Sequence, residues 1–228
     1  MNTPAPLSHF TASDPNFNRV AATLLGVGAL GLIATSGFYA LAGPAAALPG
    51  GAVDLDAARA ATATSAGWMR LAGLVGMPSD VLLAVGGVMM AMSKRGEGAA
   101  WAIAGWLAMA TAGALFIVVD AMVAGVLPPA ALSSEAGYAG LRALFDVLFT
   151  IGAWTAGLGA LAAGWSPHWP EYRWRAVLWL MRGAGGVGVL ANTAHLLGLP
   201  GAPLIGPGVA LLAVALLALS VAVRSQPR

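Results

Sequence analysis

Cysteine is absent from this chain, and charge is nearly so. Without thiols there are no disulfides, no thiolate metal sites and no cysteine nucleophile. Only 9% of the 228 residues are Asp, Glu, Lys or Arg, whereas a soluble domain carries about 25%. So few charges cannot clothe a soluble core of this size. Lysine occurs once, as Lys94 in a loop, which removes any Schiff-base site inside a helix bundle. Of the histidines His9, His168 and His195, only His195 falls in an apolar run. A bis-histidine haem is therefore excluded and a histidine-built metal site is not supported. There is no His-Glu-x-x-His, no P-loop and no Gly-x-Ser nucleophile with a partnered histidine, so ATP-driven or zinc-peptidase chemistry would need another chain. No cofactor and no metal site follow from the sequence, and no catalytic residue is assigned.

What the chain has in excess is apolar length. It is 59% hydrophobic, with a mean hydropathy of +0.81. Lipid is the expected solvent. Six apolar runs, at residues 20–42, 67–92, 99–123, 139–164, 175–198 and 203–223, are each near or above the roughly 20 residues that cross a bilayer as helix. They are too long for strands, and a helix satisfies its own backbone in lipid. The expected fold is all-α, a bundle of six transmembrane helices over residues 19–224. Residues 1–18 read as a flexible polar tail and residues 225–228 as a short C-terminal tail. The first run exceeds the 7–15 residues of a signal-peptide core, so a retained helix is favoured over a cleaved one.

Arg19, Lys94, Arg95, Arg173, Arg175, Arg224 and Arg228 all fall on one side of a six-span layout. That bias predicts cytoplasmic termini in a bacterial inner membrane. The net charge of +2 therefore reflects topology, and nucleic acid is not an expected partner. In the outer loop 43–66, Asp54 is placed to cap a short helix through Thr64. In the outer loop 124–138, Ser133-Ser134-Glu135 is a helix start. The inner segment Trp165 to Arg175 mixes aromatics with arginines and reads as an interfacial belt. Gly26, Gly28 and Gly31 match Gly-x-Gly-x-x-Gly but lie inside the first span with no preceding strand. They read as helix packing, not as a dinucleotide site.

The informative residues are the charges inside the runs: Asp80, Asp120 and Asp146, and Arg70, Arg142 and Arg182. A charge near the middle of a span costs at least about 2.5–3.5 kcal/mol. Asp80 is too deep to reach either surface. Pro78, two residues earlier, predicts a kink, and with Ser79 it makes a mid-membrane polar site of the kind transporters build from interrupted helices. Arg142 and Asp146 share a helix face and can pair locally. Arg182 either reaches the cytoplasmic interface or pairs with Asp80. Arg70 and Asp120 lie near span ends and can pair locally or reach the interface. Gly188, Asn192 and His195 share a face of the fifth span, with Asn192 suited to helix packing and His195 to a hydrogen bond or a proton relay. The three aspartates and three arginines sum to zero, which allows a self-neutralising network or a hydrated pocket. The first two and the next two spans also echo each other, as a weak internal repeat.

The run from Arg70 to Asp80-Val81-Leu82-Leu83, and Trp165-Ser166-Pro167-His168-Trp169, resemble bacterial six-helix membrane proteins grouped as domains of unknown function. That resemblance implies the layout and no activity. Three readings follow. One is a small solute or ion transporter, channel or ligand-binding bundle centred on Asp80. The second is a non-catalytic accessory or assembly subunit braced by an Arg/Asp network, meeting a membrane-protein partner or its own copy through small-residue faces. The third is a membrane enzyme using Asp80, Asp120 or Asp146 as acid and base.

Overall fold

The structure, a computed structural model, describes residues 15–43, 46, 54–94, 99–165, 172–199 and 202–225. The N-terminal segment through Asp14, Arg95, the belt residues Ser166 to Glu171, and Arg228 lie outside them. Within them every regular element is a helix: α1 (Pro15–Ala42), α2 (Leu55–Thr64), α3 (Ala66–Met92), α4 (Ala99–Gly125), α5 (Leu127–Ser133), α6 (Glu135–Gly164), α7 (Tyr172–Leu196) and α8 (Ala202–Arg224).

The six long helices form a closed ring. Each packs on its neighbours in the chain, passing over the short α2 and α5, and α1 closes the ring against α8. Helices on opposite sides barely meet, which leaves a central space. Five of the six, α1, α3, α4, α6 and α8, are long and apolar enough to cross a membrane, so this is a multi-pass membrane protein by length and composition. The expected sixth span, α7, is long enough, but Arg182, Asn192 and four glycines lower its hydropathy. The outer faces carry large exposed apolar side chains such as Leu30, Leu74, Val85, Trp101, Val147, Trp179 and Val221. Lipid contact explains that exposure.

Two boundaries differ from expectation. α1 begins at Pro15, inside the segment read as a tail, because proline fits a helix's first turn, where its missing N–H is not needed. α5 begins at Leu127 with Pro128-Pro129 in its first turn, a helix the loop composition concealed. α2 occupies the expected stretch, but the Asp54 side chain makes no cap bond. Ser134 does cap α6, accepting a hydrogen bond from the Gly137 N–H at 3.0 Å.

Glycine makes the ring close tightly. A Cβ on Gly28 or Gly31 would strike Leu83 or Ser79 of α3, and one on Gly26 would strike Ser220 of α8. The glycine pattern in α1 is thus packing on both of its neighbours. Gly105 and Gly159 join α4 to α6, and Gly157 and Gly185 join α6 to α7. Backbones approach closely because lipid supplies no hydrophobic drive between helices, so contact itself holds the seam.

Two apolar layers bracket the ring. At the end holding both termini, all six long helices contribute, with Leu25, Met90, Trp106, Ala160, Met181 and Leu216 buried together. At the opposite end α2 and α5 fold over as a cap, packing Ala58, Met69, Val123, Leu127, Ala131 and Tyr138. Arg59 Nε donates to the Ala131 carbonyl at 2.9 Å, and the Thr62 and Tyr138 hydroxyls meet at 2.8 Å. The Arg59–Glu135 ion pair, at 3.9 Å with Glu135 exposed, adds little.

A Cβ on Gly185 would come within 2.6 Å of the Gly157 carbonyl, while one on the next residue, Gly186, meets nothing within 4 Å. Gly185→Ala should cost about 1–3 kcal/mol by overpacking. Gly186→Ala should be neutral or stabilise by up to about 1 kcal/mol. Equilibrium unfolding in mixed micelles reads both; equal effects would show that the seam does not depend on close approach.

Candidate functional site

The central space is a cavity of about 440 Å³, and all six long helices line it. Its walls are mostly small or apolar. The polar exceptions are Thr35, Ser36 and Tyr39 on α1, Asp80 on α3, Asp120 on α4 and Asn192 on α7.

The centre of this set is a pair of carboxyls. Asp80 and Asp120 sit near each other at the α3–α4 seam, and both line the cavity. Tyr39 Oη adds a third member, donating to Asp120 Oδ1 at 2.9 Å. Asp120 Oδ2 lies against Gly76, where any Cβ would overlap the carboxyl. Glycine at 76 is therefore the space in which Asp120 sits. Two turns from the aspartate on each helix, Gly73 and Gly113 bring the two backbones close and set the register that places the carboxyls near each other.

Asp80 and Asp120 are 2% and 5% exposed. Among the described residues neither forms a salt bridge with a cation. The expected pairing of Arg142 with Asp146 is present: Arg142 Nε donates to Asp146 Oδ1 at 3.0 Å, and its Nη1 donates to the Ala46 carbonyl at 2.7 Å. Its guanidinium also lies 5.1 Å from the Phe145 ring centre. These bonds tie Ala46 to α6. Arg182 turns away from Asp80: its Nε donates to the Gly164 carbonyl at 2.9 Å, at the end of α6, and it stacks on Trp165 and Trp179. Arg70 is exposed. The six intramembrane charges thus divide into separate groups, and the three aspartates do not act together.

α3 runs unbroken through Pro78, and the proline sits on the exposed face while Asp80 faces inward. Ser79 is buried against Gly31 of α1 and donates to the Val75 carbonyl at 2.7 Å. It packs the seam and does not line the cavity. His195 is half-buried and does not line it either. Asn192 does: its Nδ2 donates to the Gly188 carbonyl at 2.7 Å, and its Oδ1 is left over.

Three buried side-chain atoms that have no hydrogen-bond partner belong to cavity-lining residues: Thr35 Oγ1, Asp80 Oδ2 and Asn192 Oδ1. They come from three helices. Buried polar atoms are nearly always satisfied, so three orphans among residues lining one cavity set it apart from the apolar layers. Among the described residues no group of three His, Cys, Asp or Glu side chains is placed to hold a metal. No family model, curated protein or solved structure matches this chain.

Tyr39→Phe removes the only phenolic donor to Asp120 and leaves a buried carboxyl oxygen short of one bond. Its cost should be about 1–3 kcal/mol. The measurement is unfolding of Tyr39→Phe beside wild type in the same micelles. An unchanged midpoint would mean that the carboxyl pair stands without the tyrosine.

Proposed function

We propose that this chain is a six-span membrane protein that takes a small solute into its central cavity, as a transporter, channel or ligand-binding bundle. Asp80, Asp120, Tyr39, Thr35 and Asn192 form the polar site. The observation that carries this reading is the convergence of three unpartnered polar atoms from α1, α3 and α7 on one cavity. A purely structural core would hide or pair such atoms. The volume lies in the range of small-molecule sites, about 300–1,000 Å³. The place of α7 in the ring, between α6 and α8, supports its crossing the membrane with the others. The basic residues gathered at the end with both termini support a cytoplasmic location for that end in a bacterial inner membrane.

A second reading has one observation in its favour. Two carboxyls lining one cavity near each other are the parts of an acid–base pair. Their surroundings favour binding over catalysis. Asp120 spends one oxygen on Tyr39 and packs the other against Gly76, so only Asp80 Oδ2 offers a free acceptor. The accessory-subunit reading leaned on a buried Arg/Asp network. Arg142–Asp146 is a brace of that kind, but it leaves the orphaned atoms unexplained.

Because the chain has no cysteine, any introduced thiol is the sole reactive one. Thr35→Cys and Ala112→Cys line the cavity, Val118→Cys faces outward, and Thr64→Cys reports an exposed helix end. A small membrane-impermeant thiol reagent on oriented vesicles should modify residues 35, 112 and 64 and spare 118. Reaction at 64 alone would make the interior a dry core and end the solute-binding reading.

A further inference from the structure

We infer that the solute is a hydrophobic organic amine in its protonated, singly charged form, held head-first at Asp80 with its apolar body along the cavity. This rests on the solute-binding reading above and adds the chemical class.

The sign comes from the lining. Its ionisable residues are Tyr39, Asp80 and Asp120, and no lysine, arginine or histidine lines it. Like charges held close in a buried site oppose each other, so the pair presents a single negative charge, and a monocation completes it. An anion would meet only repulsion.

The hydrogen-bonding class comes from the orphaned atoms. All three are oxygens. The orientation of Asn192 is fixed, because the Gly188 carbonyl can only accept and so must face Nδ2. Asn192 Oδ1 and a carboxylate oxygen of Asp80 accept and do not donate. The missing partner is therefore a donor with more than one N–H or O–H. A primary or secondary ammonium supplies several donors and the charge together, whereas a quaternary ammonium supplies the charge alone.

The remaining walls set the body. Leu32, Leu83, Val119, Leu212 and Leu216 line the cavity. Magnesium needs six oxygens in near-octahedral array and calcium six to eight, against three unpartnered oxygens on these residues. A hydrated inorganic ion would also leave most of the apolar lining facing water. Phe116 lies one turn from Asp120 on α4, and it meets Phe149 edge to face at 5.7 Å between centroids. Both rings line the cavity, and aromatic rings beside a carboxylate suit an organic cation.

The test is isothermal calorimetry on the full chain in lipid nanodiscs, with empty discs subtracted. The probes are phenylbutylammonium, phenylbutanol and phenylbutanoate, which share a body and differ in head. The ammonium should bind about tenfold or more tighter than the alcohol, as one charge-assisted contact provides, and the carboxylate should not bind. Asp80→Asn should bring the ammonium down to the level of the alcohol while alcohol binding persists, which also shows that the variant is folded. Thr35→Val, which keeps both carboxyls, should weaken the ammonium by less. Equal binding of ammonium and alcohol, or preference for the carboxylate, overturns the amine. So does failure of all three probes while Cys-substituted position 35 remains reachable from water, which leaves the cavity reading standing. An unreachable position 35 instead removes the cavity reading and the amine with it.

Discussion

A carboxyl withdrawn from water must be met inside the protein, and the way Asp120 is met organises half of this bundle. Its two oxygens face Tyr39 from α1 and the bare backbone at Gly76 of α3, and Asp80 of α3 lies nearby on the same cavity. Three helices are thereby held at one height. The register of α3 against α4 follows, because only glycine at 73, 76 and 113 lets the backbones come near enough for two short side chains to lie near each other. No arginine enters this arrangement. Tyr39 meets one oxygen of Asp120, and among the described residues Asp80 Oδ2 is left without a hydrogen-bond partner.

Arginine has a different task here. Arg142 ties Ala46 to α6 by joining Asp146 to the carbonyl of Ala46. Arg182 finishes the end of α6 and lies on two tryptophans near the interface. Each guanidinium satisfies backbone carbonyls that an ammonium would serve less well, because its planar fork reaches several acceptors at once. The acids sit in the middle and the bases at the ends, and that separation gives the cavity its sign.

Much of the helical layout was legible because lipid imposes a simple rule: long apolar runs become helices. The local pairing of Arg142 with Asp146 was also readable, since four residues along a helix bring two side chains together. The meeting of Asp80 with Asp120 was not. It depends on which face of α3 opposes α4, and apolar residues surround both helices on every side, so no periodic pattern marks that face. Counting charges invited pairing by sign, and the actual neighbour has the same sign. Thr35 and Tyr39 were missed because one hydroxyl in an apolar helix is ordinary; the only available signal was that a phenol in a span needs an acceptor. The proline at 78 lies on the exposed face of a helix that continues through it, away from the carboxyl it precedes. The suspected repeat survives only as layout. Each of the first two hairpins has a short helix between long ones, but Asp80 and Asp146 do not occupy matching roles.

The cap is lopsided. α2 and α5 rest on α3, α4 and α6, and hardly touch α7 or α8. The apolar layer beneath them draws on α1, α3, α4 and α6 alone. At the other edge, Gly206 of α8 lines the cavity and is exposed. Mechanically the ring is therefore two unequal arcs. Four helices are strapped together across one end, and the last hairpin is fastened only along its sides. Among the described residues that hairpin has the fewest cross-ties to lose, so local opening costs least there.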